Sequence, residues 1–447
     1  MFTKIFQVVR KNPELGVSFR RKILGLSQLE GGFNALMIGC AETFALYYAV
    51  KRGLSKQDFA LISTLPIVFG ALANWAIPRL VESRYLKRSL LAVVFIQILG
   101  VLGLYFSVNA SNHFWWILIS LSLYWIGGMS ATHLWIDWIS GWLPADRMNR
   151  YLSRRNGFTA FVTVIGYLLA AYWVHLDERI SSYQFVFGLA LLSRMMSWLI
   201  LSYQATPQNP KIEKSKPFKL SEALKSKSIL IMISFTILFR FVAYMASPFF
   251  LPYMVDELHF TLMDYAWISA VPFIAKALLL AQWGEAVRSY RPFIGLQTAM
   301  ILLGLVSLAW TFTTHMGLLT IIEVFSGISW GGFELGGILI LYNFAPRRSR
   351  SLIGFYLALL HTSGLLGSLV GSHLLESGWT SVELFRFSGV TRLTVAFLFV
   401  IVGLQVEEMK VGLRVYGEFF VTALSLRGSL VSLGRIFPVV HRSKKRN

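Results

Sequence analysis

The chain has 447 residues, of which 55% are hydrophobic and 14% charged, with a mean hydropathy of +0.59 and a formal net charge of +20. A water-soluble globular domain does not have this balance, so most of the chain must lie in lipid. The net positive charge does not indicate nucleic-acid binding, because the basic residues lie in short loops between long apolar segments.

Twelve apolar segments are each long enough to cross a bilayer, for which a helix needs roughly 20 residues. In chain order they lie near 31–50, 58–78, 88–107, 114–138, 157–176, 183–203, 229–254, 264–284, 292–313, 317–343, 351–373 and 389–406. The alternating segments of about 10 residues that build a membrane β-barrel are absent. The sequence therefore predicts an all-α, polytopic membrane protein with 12 transmembrane helices, which we number 1 to 12.

The basic residues favour one side of the membrane. Of the 42 Lys and Arg residues, 33 lie in the amino-terminal segment, in the loops after the even-numbered helices, or in the carboxyl-terminal tail. By the positive-inside rule both termini are cytoplasmic, and we expect a bacterial inner membrane with its anionic lipids against the basic face. The opposite side holds six: Lys51, Arg52, Lys56, Arg179, Arg386 and Arg392.

An internal repeat relates the two halves. With a shift of 206 residues, Asp-Phe-Ala-Leu-Ile-Ser-Thr-Leu-Pro at 58–66 aligns with Asp-Tyr-Ala-Trp-Ile-Ser-Ala-Val-Pro at 264–272, and five of nine positions are identical. Because each repeat contains six spans, both halves enter the membrane from the same side. The predicted domains are a cytoplasmic segment at 1–30, a six-helix bundle at 31–203, a linker at 204–228, a second bundle at 229–406, and a basic tail at 407–447 with an interfacial helix, for which a thirteenth span is the alternative.

This topology and repeat resemble the major facilitator superfamily of transporters over residues 30–406. The family's loop signature after helix 2, Gly-x-Leu-x-Asp-Arg-x-Gly-Arg-Arg/Lys, is partly kept at 78–88, where Leu80, Glu82 and Lys87 match and both glycines are lost. The mirrored loop at 283–292 keeps Gly284 and has Arg288 where the family has an acid. The resemblance implies that these loops latch a cytoplasmic gate, with gating residues Glu82, Lys87, Arg88, Gly284 and Arg288.

Two further segments are similar to a bacterial subgroup of that family without an assigned substrate. They are Gly-Cys-Ala-Glu-Thr-Phe at 39–44 and the set Trp138, Pro144, Arg150, Tyr151, Arg154, Arg155 and Asn156. The helix 5 motif of many drug/proton antiporters is missing from 157–173, which disfavours multidrug efflux. No metalloprotease, phosphate-binding or Ser/His/Asp motif is present, so the sequence does not predict an enzyme or a cofactor. The single Cys40 excludes an intrachain disulfide.

Six ionisable residues fall inside predicted spans: Glu42, Arg194, Arg240, Lys276, Glu323 and Glu334. Each costs about 2.5–3.5 kcal/mol at mid-depth, so these groups must pair, face water or lose their charge. Helical spacing places Thr236, Arg240, Tyr244 and Ser247 on one face of helix 7, and Glu323, Gly327, Gly331 and Glu334 on one face of helix 10. The family resemblance implies that helices 1, 4, 7 and 10 line a central cavity.

We therefore expect substrate binding or proton coupling from Glu42, Arg240, Lys276, Glu334, Tyr244 and Trp330, with Glu323, Arg194 and His361 as weaker candidates. The alternative for each charge is a structural ion pair, for example Glu42 with Arg240. The expected function is proton-coupled transport of a small solute by a monomer, with an anionic solute indicated by Arg240 and Lys276. The alternatives are a non-transporting receptor or assembly partner of the same fold, and a lipid or lysolipid translocase.

Overall fold

The computed structural model describes residues 13–143, 145–177, 179–206, 226–290, 292–344, 349–406 and 412–423. Every regular element in these ranges is helical, and twelve of the helical segments are long and apolar enough to cross a membrane. The predicted fold class is confirmed.

Six helices form the first half and six the second. The first half contains α1 (Pro13–Lys51), α2 (Lys56–Leu80), α3 (Leu86–Ser107), α4 (His113–Ser140), α5 (Ala145–Leu176) and α6 (Ile180–Tyr203). The second half contains α7 (Lys227–Tyr244), α8 (Leu262–Ser289), α9 (Pro292–Ala309), α10 (Met316–Phe344), α11 (Ser349–Glu376) and α12 (Ser381–Leu404). A further short helix, α13, spans Leu413–Ala423. The α1 helix begins well before the predicted boundary at 31, so Glu30 belongs to the bundle.

The strongest part of the sequence repeat marks two equivalent helix starts. Ser55 accepts a hydrogen bond from the backbone N–H of Asp58 at the start of α2, and Thr261 accepts one from the N–H of Asp264 at the start of α8. Each side-chain oxygen satisfies a helix N–H that has no intrahelical partner. The repeated Asp is therefore a signal for helix initiation on the same side of both halves.

The seventh span is interrupted near its end. The α7 helix ends at Tyr244 and is followed by a 3-10 turn at Ser247–Phe249, a short turn at Phe250–Pro252 and a π-helical segment at Tyr253–Glu257. Proline lacks a backbone N–H, so the two prolines here cannot continue the α-helical hydrogen bonding. The span from Lys227 to Glu257 is consequently a helix with an irregular last third.

Arg392 satisfies the backbone groups that this interruption releases. Its Nη2 donates to the carbonyl of Ala243 at 2.7 Å and to Oγ of Ser247 at 3.3 Å, and its Nη1 donates to the carbonyl of Leu303 at 3.3 Å. The residue is only 2% exposed within α12. Arg392 was counted among the basic residues on the side opposite the termini, but it is buried inside α12, where helix-end carbonyls receive its charge.

The helices α7 and α11 pack with their backbones in contact. A Cβ placed on Gly367 would lie 2.1 Å from the carbonyl oxygen of Phe241, and one on Gly371 would lie 1.9 Å from that of Met245. No side chain fits at either position, so glycine is required for this approach. The contact brings the second half of α11 against the end of α7.

Two helix pairs, α2 with α11 and α5 with α8, form the main contact between the halves. Along α2, Oγ1 of Thr64 lies 3.0 Å from Oγ of Ser368, and Nη2 of Arg79 donates to the carbonyl of Ser351 at 3.3 Å. The α2–α11 contact therefore extends from the middle of the bundle to the side that carries the chain's termini.

On the side opposite the termini, the halves also meet through polar and aromatic contacts. Lys56 forms an ion pair with Asp256 at 3.7 Å, and the buried ring of Tyr47 stacks on that of Tyr265 at 5.3 Å. Within the first half, on the same side, Arg52 donates from Nε to the hydroxyl of Tyr48 at 2.6 Å. Lys56 and Arg52 are two of the six basic residues on this side of the membrane, and both have partners here.

The α13 helix packs on α8 and α9. The fully buried ring of Phe419 meets the edges of Trp283 and Tyr290, at centroid distances of 5.2 and 6.1 Å. The hydroxyl of Tyr416 donates to Oε1 of Gln297 at 2.6 Å. The described part of α13 has 11 residues, so it does not test the alternative of a thirteenth span. Its placement at the lipid interface stays a prediction, and 424–447 lie outside the described residues.

Candidate functional site

Glu42 lies within α1, close to mid-span and half-buried. Its Oε2 accepts a hydrogen bond from the hydroxyl of Tyr124 in α4 at 3.3 Å. The structure gives this carboxylate no ion pair with any residue it describes, so the hypothetical pair of Glu42 with Arg240 does not form. The partner of Glu42 is thus a neutral hydroxyl.

Arg240 lies one turn before the end of α7, near the middle of the span from Lys227 to Glu257, and is 5% exposed. Its Nη2 donates to the hydroxyl of Tyr244 at 2.6 Å, and its guanidinium carbon lies 3.9 Å from the centre of that ring and 5.2 Å from the Trp330 ring. The Nε–H has no hydrogen-bond partner in the described part of the chain. Within the described ranges no acid pairs with this arginine, so its positive charge is not neutralised.

Tyr244 and Trp330 form the aromatic part of the same cluster. Their rings are perpendicular, with centroids 6.3 Å apart, and both side chains are half-buried. His361 of α11 is also half-buried and close enough to Arg240 for an electrostatic interaction. The cluster therefore joins α7, α10 and α11.

Lys276 and Glu334 form an ion pair between α8 and α10. The Nζ atom lies 2.5 Å from Oε2, and the side chains are 34% and 50% exposed, respectively. Glu334 is one helical turn from Trp330, so the ion pair and the aromatic cluster occupy neighbouring positions on α10. Both charges that the sequence placed here are present, and they neutralise each other.

Glu323 lies apart from these groups. Its Oε1 accepts a hydrogen bond from Nε1 of Trp310 at 2.8 Å, just after the end of α9. Glu323 is in the second turn of α10, on the side opposite the termini. The contact therefore joins α10 to α9 within the second half.

Arg194 belongs to a buried ionic cluster that sequence reasoning did not find. Its Nη1 lies 4.0 Å from Oε1 of Glu30, whose Oε2 is 3.0 Å from Nη2 of Arg155. Ser197 donates to Oε1 of Glu30 at 3.0 Å, and the guanidinium of Arg155 lies 3.8 Å above the ring of Trp135. The sequence did contain a signal for this cluster, because an arginine inside a span requires an acidic partner and Arg194 was predicted to lie inside a span. The assignment of Glu30 to the amino-terminal segment hid that acid.

The predicted gating residues Glu82 and Lys87 form contacts within the first half. Glu82 pairs with Arg84 at 2.7 Å, and both are exposed. Lys87 donates to the carbonyl of Ser202 at 2.7 Å, and also to that of Gln204, at the end of α6.

The remaining gating candidates are Arg88, Gly284 and Arg288. Arg88 is exposed, and Gly284 lies in α8, where an added Cβ would be 3.9 Å from Leu335. Of Arg288 the structure describes only the backbone, within α8. The proposed latch between the halves stays a prediction.

Comparison with known proteins gives a family and a set of similar folds. The family model for the Major Facilitator Superfamily matches residues 31–246. No curated protein matches the sequence. A mutant of the nucleoside transporter NupG is 14% identical with a TM-score of 0.66, and the match covers 86% of this chain and 99% of that one.

Two further solved structures have the same fold. A second structure of NupG, also 14% identical, has a TM-score of 0.60 over 86% of this chain and 98% of that one. The xylose transporter XylE from E. coli, in a partially occluded inward-open conformation, is 11% identical with a TM-score of 0.59, over 85% of this chain and 97% of that one. The family model identifies the part of the chain from α1 to α7 as similar to the Major Facilitator Superfamily, and these structures reproduce the fold over most of the chain.

Proposed function

We propose that the protein is a secondary active transporter that moves a small solute across the bacterial inner membrane by alternating access, coupled to protons. The two halves meet mainly through α2 with α11 and α5 with α8. If the two halves rock about these helix pairs, the space between the halves opens to one side of the membrane and then to the other. The distribution of basic residues supports cytoplasmic termini.

Proton coupling is supported by the environment of Glu42. An ionised carboxylate bonded only to a neutral hydroxyl is an uncompensated charge inside a span, which costs about 2.5–3.5 kcal/mol at mid-depth. Carrying a proton removes that cost while the site is closed to water. Hydration offsets the cost once the site opens. Glu42 therefore has a reason to exchange a proton during each cycle.

Glu334 is the second candidate for proton exchange. Its carboxylate is bound to Lys276 and half-exposed. A proton on Glu334 would release Lys276, so the protonation state could be transmitted from α10 to α8. The two carboxylates lie in different halves, and they can be tested separately.

Coupling can be tested in proteoliposomes with an imposed pH gradient. Uptake of labelled uridine, D-xylose, orotate and D-xylonate would be measured for the wild type and for Glu42→Gln and Glu334→Gln. We expect wild-type uptake of at least one probe to follow the gradient and one of the two variants to lose that dependence. Glu418→Gln is the matched control, because Glu418 lies outside the spans and pairs with the exposed Arg414. Gradient-dependent uptake that is unchanged in both variants would remove both carboxylates from the mechanism.

Alternating access can be tested at the contact between Lys56 and Asp256. Cysteines at these two positions, in a Cys40→Ser background, would be joined by a short bifunctional maleimide. We expect the cross-link to abolish uptake, because the halves could no longer separate on this side. Each single-cysteine variant treated with the same reagent is the control. Full uptake by the cross-linked protein would rule out separation of the halves at this contact.

A further inference from the structure

We propose that Arg240, Tyr244 and Trp330 form a binding site for an oxyanion, and that the transported solute is an organic anion such as a carboxylate. This inference rests on the proposed transport function and specifies its substrate class. The observation that carries it is that Arg240, buried at the centre of the second half, pairs with no acid among the residues that the structure describes.

The other charged side chains discussed above within the spans of the second half already have partners. Lys276 is neutralised by Glu334 at 2.5 Å, so it does not supply a free positive charge. Arg392 is held by carbonyl oxygens at the end of α7 and is fully buried. Glu323 is bonded to Trp310, and it lies two turns of α10, roughly 10 Å along the axis, from Trp330. Arg240 is left with its charge and with an unused donor.

The aromatic contacts of Arg240 do not replace an anion. The rings of Tyr244 and Trp330 attract the guanidinium through their π electrons, and the Tyr244 hydroxyl accepts one N–H. These partners are neutral, and they leave Nε–H unbonded. A buried unpaired cation is costly, whereas a carboxylate or phosphate matches the guanidinium in charge and in geometry.

Gly364 and the rings of Tyr244 and Trp330 border the free donor of Arg240. Gly364 of α11 lies beside the free donor, where an added Cβ would be 3.6 Å from Nε and 3.1 Å from the Tyr244 ring. The half-buried rings of Tyr244 and Trp330 stand at right angles and would flank a planar group attached to the anion. The second buried cation, Arg392, is close enough to add to the positive potential at Arg240.

The test uses the full-length protein in detergent and pairs of probes that differ in an acid group. Equilibrium binding of orotate would be compared with that of uracil, and binding of D-xylonate with that of D-xylose. We expect tighter binding of the acid in at least one pair. Arg240→Gln should weaken that binding by about 10- to 100-fold, the range for loss of a charge-assisted hydrogen bond. Arg386→Gln, which removes an exposed arginine of α12, should leave it unchanged.

A second variant keeps the charge and changes only the space next to it. Gly364→Ala should weaken binding of the acid while leaving Arg240 in place, so it tests the site even if Arg240→Gln does not fold. Equal binding of acid and neutral probe, absence of binding by both acids, or wild-type affinity for the acid in Arg240→Gln would overturn the proposal. Proton-coupled uptake of uridine or D-xylose without binding of either acid would overturn it and leave the transport function standing. Acid-selective binding without any uptake would instead reject transport and support the site.

Discussion

Glu30→Gln should destabilise the protein far more than loss of an ordinary surface charge. Glu30 is 4% exposed, and its two oxygens contact Arg155 at 3.0 Å and Arg194 at 4.0 Å. Removing one member of a buried ion pair typically costs about 3–5 kcal/mol, because the remaining charge is left uncompensated. We expect about 3 kcal/mol, since Arg155 keeps its contact with Trp135 and its bond to the carbonyl of Ser27.

A double-mutant cycle with Arg194→Met tests whether the cost has this origin. Equilibrium unfolding by a denaturing detergent would give the free energy of unfolding for the wild type, both single variants and the double variant. Because the double variant carries neither Glu30 nor the Arg194 charge, its loss should be smaller than the sum of the single losses by about 1–3 kcal/mol. Additive losses would show that Glu30 and Arg194 act independently and would refute the reasoning.

The exposed pair of Arg414 and Glu418 provides the matched control. These residues lie four apart on α13 at 2.8 Å, with side-chain exposures of 90% and 43%. Glu418→Gln should cost no more than about 0.5 kcal/mol, as measured for helix-surface pairs. A loss as large as that of Glu30→Gln would show that burial does not determine the cost.

Three further substitutions have defined outcomes in the same unfolding assay. Arg392→Gln should cost about 2–4 kcal/mol, because the carbonyls at the end of α7 lose charge-assisted bonds; a loss under 1 kcal/mol would contradict this role. Phe419→Ala should cost about 3–5 kcal/mol by leaving a cavity on α8, whereas Val421→Ala, at a position 71% exposed, should change stability by no more than about 0.5 kcal/mol. Gly371→Ala should cost at least about 1–3 kcal/mol by forcing α11 from α7, and wild-type stability would contradict the close approach.

The fold could be predicted because lipid imposes a simple rule on the sequence. Every spanning segment must be a long apolar helix, so length and hydropathy are sufficient to find the twelve spans. The repeat at Asp58 and Asp264 was visible because the same local chemistry starts α2 and α8. Both signals are local along the chain, and they do not depend on how the helices pack.

The pairing of the buried charges could not be predicted in this way. Helical periodicity gives the face on which a residue lies, but it does not give the helix that the face meets. Glu42 binds Tyr124 rather than Arg240, and Arg194 binds an acid from a segment that was assigned to the cytoplasm. These partners are decided by the rotation and depth of neighbouring helices, which hydropathy does not encode.

Because the seventh span is interrupted, the geometry of the cluster of Arg240, Tyr244 and Trp330 depends on residues outside that cluster. Arg392 holds the carbonyl of Ala243, the residue directly before Tyr244, so the position of that ring depends on α12. On the other side of the interruption, Asp256 reaches Lys56 of the opposite half. A change in specificity could therefore arise from a substitution in the peripheral α12, at a distance from any atom that a cargo molecule touches.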